Sequence, residues 1–200
     1  MSTLLIGSKN KKKLVELQDL LGDLGITIAL LPDSVADVDE TGTTFLENAE
    51  LKARTYAQAT QQWVLAEDSG LVVPGLKGRP GIYSARYAGE HGNDAANNQK
   101  LIAELSILPE DRRAAYYICV AALASPTGEV VHHAEGRCHG QIVLSPRGEG
   151  GFGYDPLFLI PEYHRTFGEL SRRVKQALSH RAKAVNALRP MIRQQIAGSL

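Results

Sequence analysis

The sequence predicts an α/β fold with a mixed β-sheet. Short apolar runs that are typical of buried strands alternate with segments in which leucines recur every three or four residues, as on one face of a helix. The clearest central strand is predicted over 114–124, and Gly128 predicts a turn into a further strand over 130–134. Such a strand–turn–strand is typical of a hairpin, so the sheet is expected to contain antiparallel as well as parallel pairs.

The composition is that of an ordinary globular protein. The chain has 200 residues, of which 44% are hydrophobic and 22% charged, and this length favours a single domain over residues 1–200. Lys plus Arg equal Asp plus Glu at 22 each, which argues against broad electrostatic binding to nucleic acid or to an acidic membrane. No stretch is long enough to span a membrane, the first apolar run is too short for a signal peptide, and neither cysteine lies in a C-x-x-C pair. We expect a cytoplasmic protein.

The N-terminal segment predicts a strand, a polar turn and a helix. Leu4–Ile6 is the strand, and the helix carries leucines at helical spacing until Gly25 ends it. Ser8, Asn10 and Lys13 lie around the start of this helix, where backbone N–H groups, the helix dipole and a cation suit a phosphate. A solvated face of lysines is an equally good interpretation of the segment.

A second strand is predicted over 26–31, and a second helix begins beyond the acidic loop that follows it. Thr44 and Glu47 form a capping box that opens a helix to about residue 62. Asn48 and Lys52 are four residues apart and share one face of this helix. Lys52 is therefore expected to project its charge toward Asp68, although an ordinary surface lysine is the alternative.

The stretch Trp63–Gly70, WVLAEDSG, is the one around which the other motifs are arranged. Trp63–Ala66 predicts a buried strand that ends in the carboxylates of Glu67 and Asp68. Acidic groups at the end of a buried strand are costly without a metal or a cation, and ligands of open α/β sheets bind at the carboxyl ends of strands. The alternative is a strand followed by an Asp-Ser-Gly turn.

A glycine-rich segment over 148–153 precedes a predicted strand over 157–160. Its single aromatic residue, Phe152, is either a ring offered to a nucleobase or a core residue of a glycine hairpin. Ser179 is a plausible N-cap of the last helix, and the donors of His180 and Arg181 beside it suit a carbonyl or a phosphate. The remaining expectations are a loop over 74–89, a helix over 93–105, a short strand over 140–144, and a kink or restart of the last helix near Arg189 caused by Pro190.

Six motifs follow one another along nearly the whole chain. They are Ser8-x-Asn10-x-x-Lys13, Glu40-Thr41-Gly42-Thr43-Thr44-Phe45-x-Glu47-Asn48-Ala49, Asp68-Ser69-Gly70-Leu71, Pro80-Gly81-Ile82-Tyr83-Ser84-Ala85-Arg86-Tyr87, Gly151-Phe152-Gly153-Tyr154-Asp155-Pro156 and Ser179-His180-Arg181. In this order they resemble the inosine triphosphatase family, the Ham1-like noncanonical purine nucleoside triphosphate pyrophosphatases (dITP/XTP diphosphatases).

The resemblance implies a long central mixed sheet flanked by helices in two lobes, with the active site in the cleft between them, and a homodimer. It implies a hydrolase that uses Mg²⁺ to release pyrophosphate from ITP, dITP or XTP, with Glu40 and Asp68 as metal ligands and Asp68 also as the base that acts on water. The substrate-binding residues that it implies are Ser8, Lys9, Asn10, Lys11, Lys12, Lys13 and Lys52 for the phosphates, Ser69, and Phe152, Gly153, Tyr154, Asp155, Lys175, His180 and Arg181 for the base.

Some positions depart from the family pattern. Lys9 and Lys12 stand where many relatives carry glycine, and Glu67 stands where a second Asp is common. Arg173 and Val174 replace residues that are often acidic, which bears on the local shape around Lys175. Two other activities stay open, namely a pyrophosphatase for other modified nucleotides and a nucleotide-binding sensor without catalysis.

Overall fold

The computed structural model describes residues 2–198 and has the predicted α/β fold. The strands are β1 Thr3–Ile6, β2 Thr27–Leu30, β3 Trp63–Val72, β4 Ala114–Ala124, β5 Val130–Ile142, β6 Phe158–Ile160 and β7 Arg165–Thr166. The α-helices are α1 Lys11–Leu21, α2 Phe45–Thr60, α3 Asp94–Ser106, α4 Arg172–Leu178 and α5 His180–Ile192.

The seven strands form one sheet in the order β2-β1-β3-β4-β5-β6-β7. The pairs of β1 with β2 and with β3 are parallel. The pairs of β6 with β5 and with β7 are antiparallel. The prediction of a mixed sheet is therefore confirmed.

The chain divides into two compact units. The first unit comprises the described residues up to Asp68, residues 119–136 and the described residues from Arg181 onward, and the second comprises 69–118 and 137–180. Each unit has its own apolar core, with Leu4, Leu65 and Val185 in the first and Leu71, Phe158 and Phe167 in the second. The single domain over 1–200 and the cleft between two lobes stay predictions.

The predicted helix boundaries are largely confirmed because the capping residues act as the sequence indicates. The Thr44 hydroxyl accepts a hydrogen bond from the backbone N–H of Glu47, and the Glu47 carboxylate accepts one from the backbone N–H of Thr44, so α2 opens on a complete capping box. Asn10 caps α1 through hydrogen bonds from two backbone N–H groups. Gly25 ends the following one-turn helix in a left-handed conformation, with φ 69°.

The prediction that the third strand ends at Ala66 is wrong, and so is the interpretation of Asp68–Gly70 as a turn. β3 continues to Val72, with Glu67 and Asp68 buried in mid-strand. A strand tolerates two adjacent buried carboxylates because successive side chains point to opposite faces of the sheet. Glu67 then meets Arg181 and Lys13, whereas Asp68 meets Lys52.

Two further expectations are corrected. The separate strand predicted over 140–144 is the end of β5, and a Cβ at Gly140 would lie 2.5 Å from the carbonyl oxygen of Leu159, so glycine permits the close approach of β6. Pro190 does not restart the last helix: α5 runs through it to Ile192 and passes into a π-helical turn over Arg193–Ala197. Among residues 2–198, no helix is long and apolar enough to cross a membrane.

Gly7, directly after β1, is expected to be intolerant of a side chain. Its N–H donates to the carbonyl of Leu65 at 2.8 Å, and a Cβ on it would lie 2.6 Å from the Cβ of Ala66. Gly7→Ala should lower the free energy of unfolding by about 1–3 kcal/mol, because the core is already filled at this point. Gly22→Ala is the matched control, since Gly22 has φ −64° and open space around its Cα. Urea unfolding checks both variants, and equal losses would contradict the packing argument.

Candidate active site

Asp68 lies at the centre of a buried cluster in the first unit. Its Oδ1 accepts a hydrogen bond from Lys52 Nζ at 3.1 Å, and its Oδ2 accepts one from Asn48 Nδ2 at 3.2 Å. Lys52 Nζ also donates to Glu40 Oε1 at 2.6 Å. Asn48 and Lys52 meet one carboxylate because residues four apart share a helix face. The prediction that Lys52 projects toward Asp68 is confirmed.

Burial and charge shift the proton affinities of this cluster. Burial raises the pKa of Asp68; Lys52 opposes this effect, Glu40 adds to it, and the net pKa lies above the ordinary value. Burial alone would lower the pKa of Lys52, but the charges of Asp68 and Glu40 outweigh it and raise that pKa. Asp68 is therefore a better proton acceptor than an ordinary aspartate, while Lys52 keeps its positive charge.

Glu40 and Asp68 are the two carboxylates of this cluster, and both contact Lys52. Within the described part of the chain, no group of three or more His, Cys, Asp or Glu residues has the geometry to hold a metal. The Lys52 ammonium lies between the two carboxylates. A pair of carboxylates nevertheless matches the protein ligands that Mg²⁺ uses when substrate phosphates and water complete its coordination shell. The residues fit an ion that binds together with a phosphate ligand.

Glu67 lies in a second buried cluster of the first unit. Arg181 donates two hydrogen bonds to the Glu67 carboxylate, from Nε to Oε2 at 2.8 Å and from Nη2 to Oε1 at 2.9 Å. Lys13 Nζ lies 2.9 Å from Oε1, and the thiol of Cys119 donates to Oε2 at 3.0 Å. Arg181 Nη1 also donates to Glu16 Oε2 at 2.6 Å. The bidentate pair fixes the Arg181 guanidinium in one plane.

The charges in this second cluster compensate one another. Burial alone would raise the pKa of Glu67, but Arg181 and Lys13 outweigh it and hold that pKa well below the ordinary value. Burial raises the pKa of the Cys119 thiol well above its usual range, and the adjacent carboxylate adds to the rise. Cys119 is thus a neutral hydrogen-bond donor rather than a reactive thiolate.

In the turn before α1, the side-chain oxygens of Ser8 and Asn10 accept hydrogen bonds from backbone N–H groups of the same segment. Asn10 Oδ1 accepts from the backbone N–H groups of Lys12 and Lys13 at 2.9 and 3.3 Å, and Ser8 Oγ accepts from the N–H of Asn10 at 3.1 Å. Lys9 Nζ lies 3.2 Å from Asp37 Oδ1. The side chains of Lys9, Lys11 and Lys12 are exposed, so the two departures from the family pattern add charge at the surface of this turn.

Asp155 organises a third cluster, in the second unit. Its buried carboxylate accepts hydrogen bonds at Oδ2 from Lys175 Nζ at 2.7 Å and from the backbone N–H of Phe152 at 2.9 Å. Lys175 Nζ also lies 4.9 Å from the centroid of the half-buried Phe152 ring. Gly151 has φ +79°, and a Cβ there would collide with the Asp155 carboxylate. Glycine at position 151 therefore allows the Asp155 carboxylate to approach the loop backbone.

Both backbone polar groups of Gly153 form hydrogen bonds with side chains of α3. Its N–H donates to Asp94 Oδ2 at 2.8 Å, and its carbonyl accepts from Asn98 Nδ2 at 3.0 Å. The next residue, Tyr154, donates its hydroxyl to the carbonyl of Ser84 at 2.8 Å. Ser84 belongs to the Pro80–Tyr87 motif, so this motif helps to support the loop that carries Phe152 and Tyr154. Together these contacts tie the loop to α3 and to the Pro80–Tyr87 segment.

His180, the first residue of α5, packs flat against Tyr117 of β4, with ring centroids 4.7 Å apart and planes 11° apart. Ser179 directly precedes this helix, and Ser69 is a partly exposed residue of β3. Arg173 and Val174 lie in the first turn of α4, whose N-cap Ser171 accepts from the Val174 N–H. The departures near Lys175 therefore leave a regular helix that presents Lys175 to Asp155.

The structure groups the predicted site residues into sets within each unit. In the first unit it brings together Glu40, Lys52 and Asp68, and separately Lys13, Glu67 and Arg181. In the second unit it brings together Phe152, Asp155 and Lys175. Sequence reasoning missed the parts played by Glu16, Asp94, Asn98 and Tyr117, since none of them stands in a pattern that marks a partner distant in sequence.

Comparisons with known proteins agree with this assembly of motifs. The model of the Ham1 family matches residues 4–191. The dITP/XTP pyrophosphatase of Rhodopirellula baltica is 50% identical over 194 residues, which cover 96% of this chain and 93% of that protein. The enzyme of the same name from Desulforamulus reducens is 47% identical over 184 residues, which cover 91% of each chain.

Solved structures are similar over nearly the whole chain as well. A HAM1 protein from Coxiella burnetii superposes with a TM-score of 0.88 at 40% identity and covers 97% of this chain and 100% of its own. A nucleoside-triphosphatase / dITP/XTP pyrophosphatase from Mycobacterium abscessus superposes with a TM-score of 0.76 at 44% identity, covering 94% and 100%. These matches far exceed a likeness of fold alone, and the chain belongs to the Ham1 family.

Proposed function

We propose that this protein hydrolyses noncanonical purine nucleoside triphosphates, namely ITP, dITP and XTP, to the nucleoside monophosphate and pyrophosphate. Similarity to the dITP/XTP pyrophosphatases supports the reaction. The observation that carries the proposal is the cluster of the buried Asp68 and Lys52 with the half-buried Glu40, which supplies a proton acceptor, a cation and a second carboxylate at one point. These are the groups that phosphoryl-transfer chemistry requires.

The phosphates are assigned to the first unit. In this proposal Lys13 and Lys52 face the phosphates, and Ser8, Asn10 and the exposed side chains of Lys9, Lys11 and Lys12 are further phosphate contacts. Cations and helix N–H groups bind polyphosphate through charge and hydrogen bonds. In this assignment the ion pair of Lys13 with Glu67 holds the ammonium in place before the substrate arrives.

Glu40 and Asp68 are assigned as the residues that hold Mg²⁺. The chemistry that a bound Mg²⁺ supplies is neutralisation of the charge on the phosphate oxygens as the bond to the leaving group breaks. Asp68 takes the proton from the water that attacks the α-phosphorus, and its raised pKa suits this task. Lys52 stays protonated and steadies the charge left on the pyrophosphate.

The purine is assigned to the residues Phe152, Gly153, Tyr154, Asp155, Lys175, His180 and Arg181, and Ser69 is assigned as a further substrate contact. The Phe152 ring stacks on the base. Donors such as His180 and Arg181 are satisfied by the 6-keto group of hypoxanthine or xanthine, whereas the 6-amino group of adenine would leave them unpaired. Unpaired buried donors are the kind of mismatch that discriminates strongly between substrates.

The setting of the reaction completes the proposal. We place the enzyme in the cytoplasm as a homodimer that acts on free nucleotides, where it removes deaminated purine triphosphates before polymerases use them. Neither nucleic acid nor a membrane takes part. The balance of 22 basic and 22 acidic residues is consistent with a small-molecule substrate.

The decisive experiment compares hydrolysis of ITP, XTP, dITP, GTP and ATP with Mg²⁺, assaying pyrophosphate and orthophosphate separately. Pyrophosphate from ITP or XTP, with little product from ATP or GTP, is the expected result. Orthophosphate as the first product would move the attack to the γ-phosphorus. Tight binding of ITP without turnover would favour a sensor, and a preference for another modified base would change the substrate class.

Phe152→Ala tests the assigned stacking contact. We expect the variant to bind the product inosine monophosphate more weakly by about 1–3 kcal/mol, the range found when a base loses an aromatic partner. Calorimetric titration measures the affinity, and thermal unfolding measures stability in parallel. Unchanged affinity combined with lower stability would make Phe152 a packing residue. Tyr163→Ala, which removes an exposed ring from the same unit, is the control.

A further inference from the structure

Tyr117 is a buried residue of β4 that no motif marks and that contacts two of the residues assigned to the purine. Only 7% of its surface is exposed. It is surrounded by aromatic rings of the second unit: its centroid lies 4.6 Å from that of Phe158 and 6.0 Å from that of Phe167. A ring held from several sides in a close-packed core has one available position.

The face of the Tyr117 ring sets the plane of His180. The two rings are separated by 4.7 Å between centroids and are tilted by only 11°. His180 is itself buried, with 6% of its surface exposed. A flat neighbour at this distance leaves an imidazole free to slide but not to tilt, so the plane in which the His180 ring edge lies follows from the position of Tyr117.

The hydroxyl of Tyr117 reaches Asp155. It donates to Oδ1 in a long hydrogen bond of 3.4 Å, while Oδ2 accepts from Lys175 and from the backbone of Phe152. Both oxygens of Asp155 are thus engaged, and rotation of the carboxylate would break contacts on each side. Burial, reinforced by the charge of Asp155, raises the pKa of Tyr117 far above its ordinary value, so the phenol keeps the proton that it donates.

We propose that Tyr117 is the positioning residue of purine recognition, fixing the ring plane of His180 with its face and the carboxylate of Asp155 with its hydroxyl. It touches no substrate atom in this scheme and acts only through these two residues. The inference rests on the proposed function, since it assigns the device that orients the donors facing a 6-keto purine. Loss of this orientation weakens binding of the base and reduces the preference for keto over amino purines, without changing the chemistry at the phosphates.

Tyr117→Phe is the sharpest test because it keeps the ring and removes the hydroxyl. We expect KM for ITP and Kd for inosine monophosphate to rise about twofold to tenfold, the effect of one hydrogen bond, with kcat within about twofold of the wild type. The ratio of kcat/KM for ITP to that for ATP should fall. Tyr116→Phe is the matched control: the same change one residue earlier on β4, where the ring lies near His139 and Arg137.

Tyr117→Leu removes the ring as well and is expected to weaken purine binding further than Tyr117→Phe. Thermal unfolding identifies any loss of stability in either variant. If Tyr117→Phe lowers the melting temperature but leaves KM, Kd and the ITP-to-ATP ratio unchanged, Tyr117 is a core residue only and the inference is overturned. Rises in KM and Kd equal to those of Tyr116→Phe would overturn it as well.

The binding measurement separates this inference from the proposed function. A wild-type protein that binds inosine monophosphate but releases no pyrophosphate from ITP would overturn the proposed reaction, while weaker binding by Tyr117→Phe would still support the positioning role. Normal wild-type turnover with unaltered binding in Tyr117→Phe would overturn the positioning role alone.

Discussion

Asp68→Asn is expected to reduce kcat for pyrophosphate release from ITP by about 10²–10⁴-fold, the usual contribution of a positioned general base. Asparagine keeps the size of the side chain, and its single oxygen can still accept the hydrogen bond from Lys52, which lies 3.1 Å from Oδ1. The amide nitrogen replaces the oxygen that accepts from Asn48 at 3.2 Å, so only that second contact is lost. Asparagine cannot take a proton from water at neutral pH. The loss should therefore appear in kcat, with nucleotide affinity changed much less.

Two measurements make this prediction specific. Single-turnover release of pyrophosphate reports the chemical step, and calorimetric titration with inosine monophosphate reports binding without turnover. Asp33→Asn is the matched control, since Asp33 is an exposed carboxylate in the acidic loop that also carries Glu40; its kcat should equal that of the wild type. Wild-type rates in Asp68→Asn would remove Asp68 from the mechanism.

The parts of the fold that sequence could predict are those determined by neighbours in the chain. The capping box of Thr44 and Glu47 joins residues three apart, and α2 begins where it predicts. The apolar run of β4 is confirmed at both ends, over Ala114–Ala124. Helical spacing likewise sufficed to predict that Lys52 approaches Asp68, because only the register of α2 and the presence of β3 were needed.

The parts that sequence missed depend on residues far apart in the chain. The sequence predicts that β3 ends at Ala66, since buried carboxylates are costly without a cation, yet Arg181, 114 residues from Glu67, supplies a cation in mid-strand. Glu16 pairs with the same arginine across 165 residues. Composition gives no sign of such partners: Glu16 looks like any acid on a helix, and Tyr117 looks like any aromatic residue of a central strand.

The burial of Arg181 leads to the second large effect. Arg181→Met is expected to lower the free energy of unfolding by about 3–5 kcal/mol, because removing one partner of a buried ion pair leaves the other charge without compensation. Lys13 stays near Glu67 at 2.9 Å and offsets part of the loss. Lys9→Met is the matched control, since it removes a cation from the exposed pair with Asp37, and such pairs contribute about 0–1 kcal/mol.

The effect of Arg181→Met should also depend on pH in a definite direction. In the wild type the pKa of Glu67 lies well below its ordinary value, because Arg181 and Lys13 outweigh the opposing effect of burial. A depressed carboxyl pKa stabilises the fold above the pKa of the unfolded chain, about 4.3 for Glu, and this contribution is lost as the pH falls through the lower, folded pKa. The difference in stability between wild type and variant should therefore be largest at neutral pH. It should shrink as the pH falls below the pKa of the unfolded chain and through the lower pKa of folded Glu67.

Urea unfolding at neutral pH and at several acidic values measures the trend. A loss no larger than that of Lys9→Met, or one that is constant with pH, would show that the Arg181–Glu67 pair does not stabilise the first unit through its charges.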